Sequence, residues 1–457
     1  MVVSRALVVE HRRNTTTAKL MAFVEKTIEI YYPICMNYIL ENSKIQGELL
    51  DRFIKYVKIW TESNGEKADS GVIPSEERER DLAKQLAAEL TVMGLQDVQT
   101  TPECYTYAWL PASKGLENVP SFCLLAHIDT VEEVSGKDVK PIIYPKYDGA
   151  VIDLQCGVRH DPKNDEALAE AAKNRETIIT TDGTTLLGAD DKAGVSAIMT
   201  AIQYLVENPE IKHGKIEVLF SPDEETGHGM DKVPLKLIKS KFAYTVDGGH
   251  IGELETECFN AFGANVEFTG KACHTGTARK GGMVNAIAAA SRFVESLPQN
   301  QRPETTDGYQ GFFAPMEISG SIEKAKVSLL LRDFTTEGME ERIETVKALA
   351  ESAALSFGAK VQYSFKEQYK NMKANLDKNP SVVDNLTAAY RESGVEPVFV
   401  PIRGGTDGSR LTELGIPTPN IFTGGHNFHG RAEWCSLTQM SRATDVLINL
   451  ARKIAEK

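Results

Sequence analysis

Apolar positions recur along this chain with two periods, about 3.6 and 2, and the switches between them mark its elements. Leu49, Leu50, Phe53, Ile54, Val57 and Trp60 share one face of a predicted first helix. Ser75 stands where it would cap a second, with Leu82, Leu86, Leu90 and Met93 on one face and Gly94 as its stop. Residues 105–110 and 121–126 read as strands, the second nearly all apolar, as expected of a strand buried on both faces. Residues 132–175 are polar and irregular, with one helix predicted over 166–173. Residues 177–180 and 184–187 flank Asp182-Gly183 and predict a hairpin. Val195, Ile198, Met199, Ile202 and Leu205 then return to helical spacing, and 215–220 and 242–246 read as two more buried strands.

The pattern changes between about 255 and 369. Its order is strand (264–269), helix (283–297), strand (313–319), strand (326–331), helix (339–356) and strand (360–365). That is the β-α-β-β-α-β split arrangement of ferredoxin-like folds. Afterwards the α/β pattern resumes: a helix opened by Pro380, short strands at 398–400 and 419–422, and a last helix using Leu437, Met440, Leu447, Leu450 and Ile454. The predicted architecture is a doubly wound α/β domain in two parts, 46–254 and 370–457, with an inserted α+β domain at 255–369. Residues 1–45 form an extension of open role. Glu10, Glu25 and Glu29 argue against a secretory or mitochondrial leader there.

At 457 residues the chain exceeds what a single core usually serves, in keeping with two domains. A formal net charge of −13 argues against a nucleic-acid partner. Seven cysteines without a Cys-x-x-Cys pair suit a reducing compartment, so a cytoplasmic protein is expected. No apolar run is long enough to span a bilayer, so no membrane partner is expected either.

The chemistry gathers where the apolar runs stop. One ends in His127-Ile128-Asp129, one in Ser221-Pro222-Asp223-Glu224-Glu225, one in Asp247-Gly248-Gly249. Open α/β sheets place their sites outside such carboxyl ends. Asp190-Asp191 sits between Gly188 and Gly194 at the start of a helix. A helix cap needs one Asp, so the second is surplus to capping. Bare carboxylates brought close together repel, and divalent cations remove the conflict. Imidazole and carboxylate without thiolate suit zinc or a similar ion, and this many ligands would serve two ions sharing a carboxylate. His127 and Asp129 share a face, so Asp129 suits orienting the histidine. Glu224 and Glu225 point apart, so one can bind metal while the other stays free as a general base.

From about residue 47 onward the chain resembles the peptidase T family, tripeptide aminopeptidases of the co-catalytic zinc exopeptidase superfamily. The matching pieces are residues 126–130, 184–194, 222–225, 244–249, Arg332-Asp333-Phe334, 401–408 and 420–425. The resemblance implies two zinc ions per subunit, one on His127 and Asp247, the other on Glu225 and His429, with Asp190 between them. It makes Asp129 the orienting acid and Glu224 the general base that activates water and protonates the leaving amine. It implies small peptides as substrates and a homodimer through the inserted domain. Arg403, in a Gly-rich loop, would take the peptide carboxylate. His274 would steady the oxyanion in the site of its own or the neighbouring subunit, with Asn285 a weaker candidate beside it. Thr275 stands where the family usually has proline. His426 precedes His429 by three, and Gly430 favours His429 as the ligand. His250 reads as a neighbour of the site, and the three tryptophans as packing residues. Sister specificities (dipeptidase, carboxypeptidase, N-acyl amino acid deacylase) would use the same metal chemistry. A silent binding protein would have lost a ligand or the base, and all are present.

Overall fold

The buried apolar runs form the middle of a mixed eight-stranded sheet in the computed structural model, which describes residues 35–456. Its strands of three residues or more are, in chain order, β1 (Gln96–Thr100), β2 (Thr106–Leu110), β3 (Phe122–His127), β4 (Ile142–Tyr144), β5 (Ile178–Thr180), β6 (Ile216–Ser221), β7 (Ala243–Gly248), β8 (Glu253–Cys258), β9 (Asn260–Thr269), β10 (Phe312–Gly320), β11 (Lys324–Asp333), β12 (Lys360–Tyr369), β13 (Val398–Ile402), β14 (Asn420–Phe422) and β15 (Trp434–Ser436). Its helices of eight residues or more are α1 (Ser43–Val57), α2 (Glu79–Val92), α3 (Glu166–Lys173), α4 (Ala189–Glu207), α5 (Ala286–Ser296), α6 (Thr336–Phe357), α7 (Pro380–Glu392) and α8 (Leu437–Ala455).

The large sheet runs β1-β2-β6-β3-β7-β14-β8-β13. Its centre, β6-β3-β7-β14, is parallel, and every residue of β3 and β6 is buried. One face is covered by α1, α2, α4, α7 and α8 through Phe53, Leu86, Ile198, Leu386 and Met440. The other packs Tyr105, Leu125 and Leu219 against Met230, Ile238 and Leu411. With both faces covered, the carboxyl ends of the parallel strands are where the sheet meets solvent.

Residues 260–369 build a second sheet, antiparallel and ordered β10-β11-β9-β12. Helices α5 and α6 pack on one face through Phe293, Val346 and Ala350, against Val266, Phe268, Val327 and Leu331. The connection β9-α5-β10-β11-α6-β12 is the ferredoxin-like order expected. Gly358, at φ +71°, ends α6.

Three local expectations change. Residues 184–187 form no strand and no hairpin. Asp182 Oδ1 accepts the Thr184 N–H and Gly183 turns at φ +89°, while the N–H groups of Leu187 and Gly188 go to the Glu433 carboxylate instead of a ladder. Strand β5 pairs with β4 and β15. Ser75 caps no helix: its Oγ accepts the Asn64 N–H, and α2 begins at Glu79 without a side-chain cap. Residues 36–45, expected in the extension, belong to the body. The Ile39 and Leu40 N–H groups donate to Asp445 of α8, and Met36 N–H donates to the Glu392 carbonyl. Residues 1–34 lie outside the described residues. No described helix is long and apolar enough to cross a membrane.

Candidate metal centre

Strand β3 delivers His127 at its last residue, β7 delivers Asp247, and the turn after β6 delivers Glu224 and Glu225. Asp190 arrives with the start of α4, and His429 with the loop after β14. All six meet at the carboxyl edge of the sheet. His127 Nε2 lies 2.9 Å from Asp190 Oδ1 and 3.4 Å from Asp247 Oδ1. His429 Nε2 lies 3.1 Å from Asp190 Oδ2 and 3.1 Å from Glu225 Oε2. Each oxygen of Asp190 therefore faces a different histidine.

The adjacent acids divide their work. Asp191 Oδ1 accepts the Gly194 N–H at 3.1 Å, a helix-capping bond, and its Oδ2 accepts the His127 N–H at 3.3 Å. Asp191 also lies within ligand distance of His127 and Asp247. Its oxygens are already taken by backbone donors, which leaves Asp190 as the acid facing the histidines. The peptide bond between the two is cis.

Buried polar side chains hold the backbone of the clustered acids. Asp129 accepts the Glu224 and Glu225 N–H groups at 3.0 and 3.2 Å. Its Oδ1 is also 3.3 Å from His127 Nδ1, off the line of a good hydrogen bond. Asn420 accepts the Asp247 N–H at 2.9 Å and donates to the half-buried Glu255 at 2.6 Å. Glu433 accepts the Asp190 N–H. Sequence reasoning allows one cap in the Asp190-Asp191 pair without saying which, and it marks neither Asn420 nor Glu433 as holding a site residue. An acid four residues after His429, and an Asn opening a strand, carry no periodicity that marks them.

The donor set fits divalent cations. Asp190, Glu225 and Asp247 are mostly buried and make no ion pair with Lys or Arg among the described residues. Burial pushes the Glu225 carboxyl up to about 8 and that of Asp247 to about 6. Burial also works against ionised Asp190, yet hydrogen bonds from His127 and His429 hold it below the usual carboxylate range. Burial opposes charge on His127 too, but Asp247, Asp129 and Asp190 raise it well above an ordinary imidazole. Such acids need either protons or cations, and oxygen with imidazole nitrogen is a divalent-ion donor set. Burial also raises Glu224 well above a normal glutamate. Glu224 belongs to neither cluster of candidate ligands and lines the adjoining cavity.

That cavity holds about 840 Å³ and runs from the acids to Arg332, Tyr369 and Arg403. Arg403 lines it, but its guanidinium donates to the carbonyls of Thr306, Gly308 and Gln310 and to Thr306 Oγ1. As placed, Arg403 grips the loop before β10 and offers no free fork. His274 is exposed, accepts the Gly276 N–H and is not part of the cavity wall. Asn285 caps α5 by accepting the Ile287 N–H at 3.0 Å. Neither is brought to the site of its own chain. His426 stacks on the buried Trp434, 4.0 Å between ring centroids, and bonds Gln439. His250 approaches Glu170. Asp407, unremarked in the sequence, lies buried on the cavity wall with Ser221 Oγ donating to it.

Fold and donor set together define the class. A model of "Peptidase family M20/M25/M40" matches residues 179–453. Peptidase T of Clostridium perfringens is 44% identical over 408 residues, 89% of this chain and 99% of that protein. Peptidase T of Geobacillus thermodenitrificans is 44% identical over 416 residues, 90% of this chain and 100% of that protein. The fold matches the crystal structure of aminopeptidase PepT from Bacillus cereus with a TM-score of 0.71 at 23% identity, covering 90% of this chain and 99% of that one. It also matches a dinuclear metal-binding M20 peptidase from Bacillus subtilis, TM-score 0.62 at 15% identity, covering 91% and 99%. The chain belongs to the M20/M25/M40 peptidases and, within them, to the peptidase T family.

Proposed function

We propose that this chain is a two-zinc aminopeptidase that removes the N-terminal residue of tripeptides. The observation that carries the reading is Asp190, whose two oxygens face His127 and His429 separately while Glu224 lines the same cavity outside both candidate ligand clusters. His127 and Asp247 would hold one zinc, Glu225 and His429 the other, with Asp190 shared, and bound cations supply Lewis acidity toward the scissile carbonyl. Glu224 takes a proton from the attacking water and returns it to the leaving nitrogen. Burial, which raises its proton affinity, suits both halves of that task. Asp129 keeps His127 in register and fixes the backbone of Glu224 and Glu225. Arg332, Lys366 and Arg403 line the far wall, a cationic end suited to a peptide's carboxylate. Binding through Arg403 requires exchange of its bonds to residues 306–310.

The reading includes a cytoplasmic homodimer joined through the insert, where His274 would serve the partner's site. Met316 and Ile318 on the edge strand β10 are 64% and 50% exposed, which supports that surface as the contact. Dimers in light scattering that an Ile318→Lys change dissolves would bear this out, and monomers throughout would refute it.

The deciding experiment is hydrolysis by zinc-loaded protein of a tripeptide, its N-acetylated form, the related dipeptide and tetrapeptide, and an N-acetyl amino acid. Cleavage of the free-amine tripeptide alone, releasing its first residue, is expected. Preference for the dipeptide or the acetylated compounds would move the protein to a sister specificity.

A further inference from the structure

Glu433 is 1% exposed and bonds no cationic side chain among the described residues. Lys192, the nearby buried amine, donates instead to the Ile59 carbonyl. The Glu433 carboxylate is satisfied by backbone alone: Oε2 accepts the N–H groups of Leu187 and Gly188, both at 2.7 Å, and Oε1 accepts that of Asp190 at 3.1 Å. One side chain thus collects three donors from four consecutive residues. The last of the four is Asp190 itself. Glu433 is itself fixed, because its N–H donates to the Gly430 carbonyl and the next residue opens β15, which pairs with β5. Gly430 follows His429. The same short segment therefore carries one histidine of the centre and grips the backbone of the acid that this histidine faces.

A neutral amide could not do this. It has one acceptor oxygen, and its NH2 would confront the Asp190 N–H. Burying a carboxyl group beside a cluster of acids is costly, and loop stability alone would be served more cheaply by a turn. We infer that Glu433 is a positioning residue for the cation pair: it sets Asp190 so that one oxygen faces His127 and the other His429, and it ties the His429 loop to that placement. This rests on the two-cation reading above.

The test is metal binding by the full chain. Zinc affinity is measured by competition with a chromophoric chelator for the parent and for Glu433→Gln. The visible absorption of the cobalt-substituted forms is recorded, with thermal unfolding of each metal-free form as a control. Outer partners of metal ligands typically govern affinity by about 10- to 100-fold. A loss of that size with an altered cobalt spectrum is expected. Parent-like affinity and spectrum, whatever the change in melting temperature, would overturn the assignment and leave Glu433 a purely structural brace. Should Glu433→Gln not fold, Glu433→Asp keeps the charge and withdraws its oxygens by one methylene. It is expected to bind zinc more weakly than the parent, and equal affinity would overturn the assignment. If the parent itself binds no divalent cation, the two-cation reading falls and this inference with it. If the parent binds and the variant matches it, only the inference falls.

Discussion

His127 and His429 offer the same atom to the same carboxylate from opposite kinds of structure. The His127 side chain is 1% exposed, ends a central strand, has its N–H held by Asp191 and its ring flanked by Asp129. The His429 side chain is 49% exposed and sits on a loop with its own backbone at φ +60°. Its Nε2 approaches Asp190 and Glu225. The inner half of the candidate centre is thus held by contacts of its own within the sheet. The outer half depends on one loop, a left-handed backbone and the acids it faces. On the two-cation reading proposed above, the two positions should therefore differ in affinity, in exchange rate and in how far their loss disturbs the fold.

The strongest way to break the contrast is to remove what both halves share. Asp190→Ala should abolish tight binding of both cations and take peptide hydrolysis to background; one equivalent retained at parent affinity would show that Asp190 is not shared. Next is Glu224→Ala, which should keep two equivalents of metal and lower kcat by about 10²- to 10⁴-fold. Near-normal turnover would remove Glu224 from the chemistry. The histidines then test the contrast itself. Without metal, His127→Ala strips buried acids of their partner and should cost about 1–3 kcal/mol in denaturant unfolding. His429→Ala should cost less than about 0.5 kcal/mol, as surface changes do. Equal losses would erase the distinction.

The smallest effect is on pH dependence. In the metal-free protein burial raises Asp247 to about 6 and Glu225 to about 8. A carboxyl raised by folding favours the fold while protonated, so its contribution is complete below its ordinary value and is lost as pH climbs through the raised one. Bound cations take the place of those protons. The melting-temperature gap between loaded and metal-free protein should therefore widen from about pH 5 to about pH 8. A constant gap would mean that these acids are not what the metal replaces.

Much of this was legible because it is local. Alternation and helical spacing located β9 through β12 with α5 and α6; the predicted strands stop short where the observed ones run past their apolar positions, and the predicted α5 begins three residues before the Asn285 cap allows. His127, Asp190, Glu225 and Asp247 were visible as polar residues terminating apolar runs. What stayed hidden is long-range hydrogen bonding. Leu187 and Glu433 are 246 positions apart, and no pattern near either announces the other. The same bond removed the predicted hairpin, since a side chain took the N–H groups that a second strand would have offered. Ser75 failed as a cap for a related reason: its hydroxyl accepts from Asn64, eleven positions away. The resemblance points Arg403 at a peptide carboxylate, and nothing in the sequence near it announces the carbonyls of residues 306–310 that already fill its guanidinium.

The bond from Ile39 to Asp445 spans 406 positions and has a consequence for synthesis. Residues 36–42 leave the ribosome long before the helix that receives them exists. Arg442 and Asn449 of the same helix bind Asn37 and the Met36 carbonyl. Until then the helical face of the large sheet stands open, and α1 and α4 lack the neighbour that α8 supplies. Folding of this body is therefore completed late, after most of the chain has been made, and a nascent chain stalled before Leu437 would present its apolar flank to chaperones and proteases.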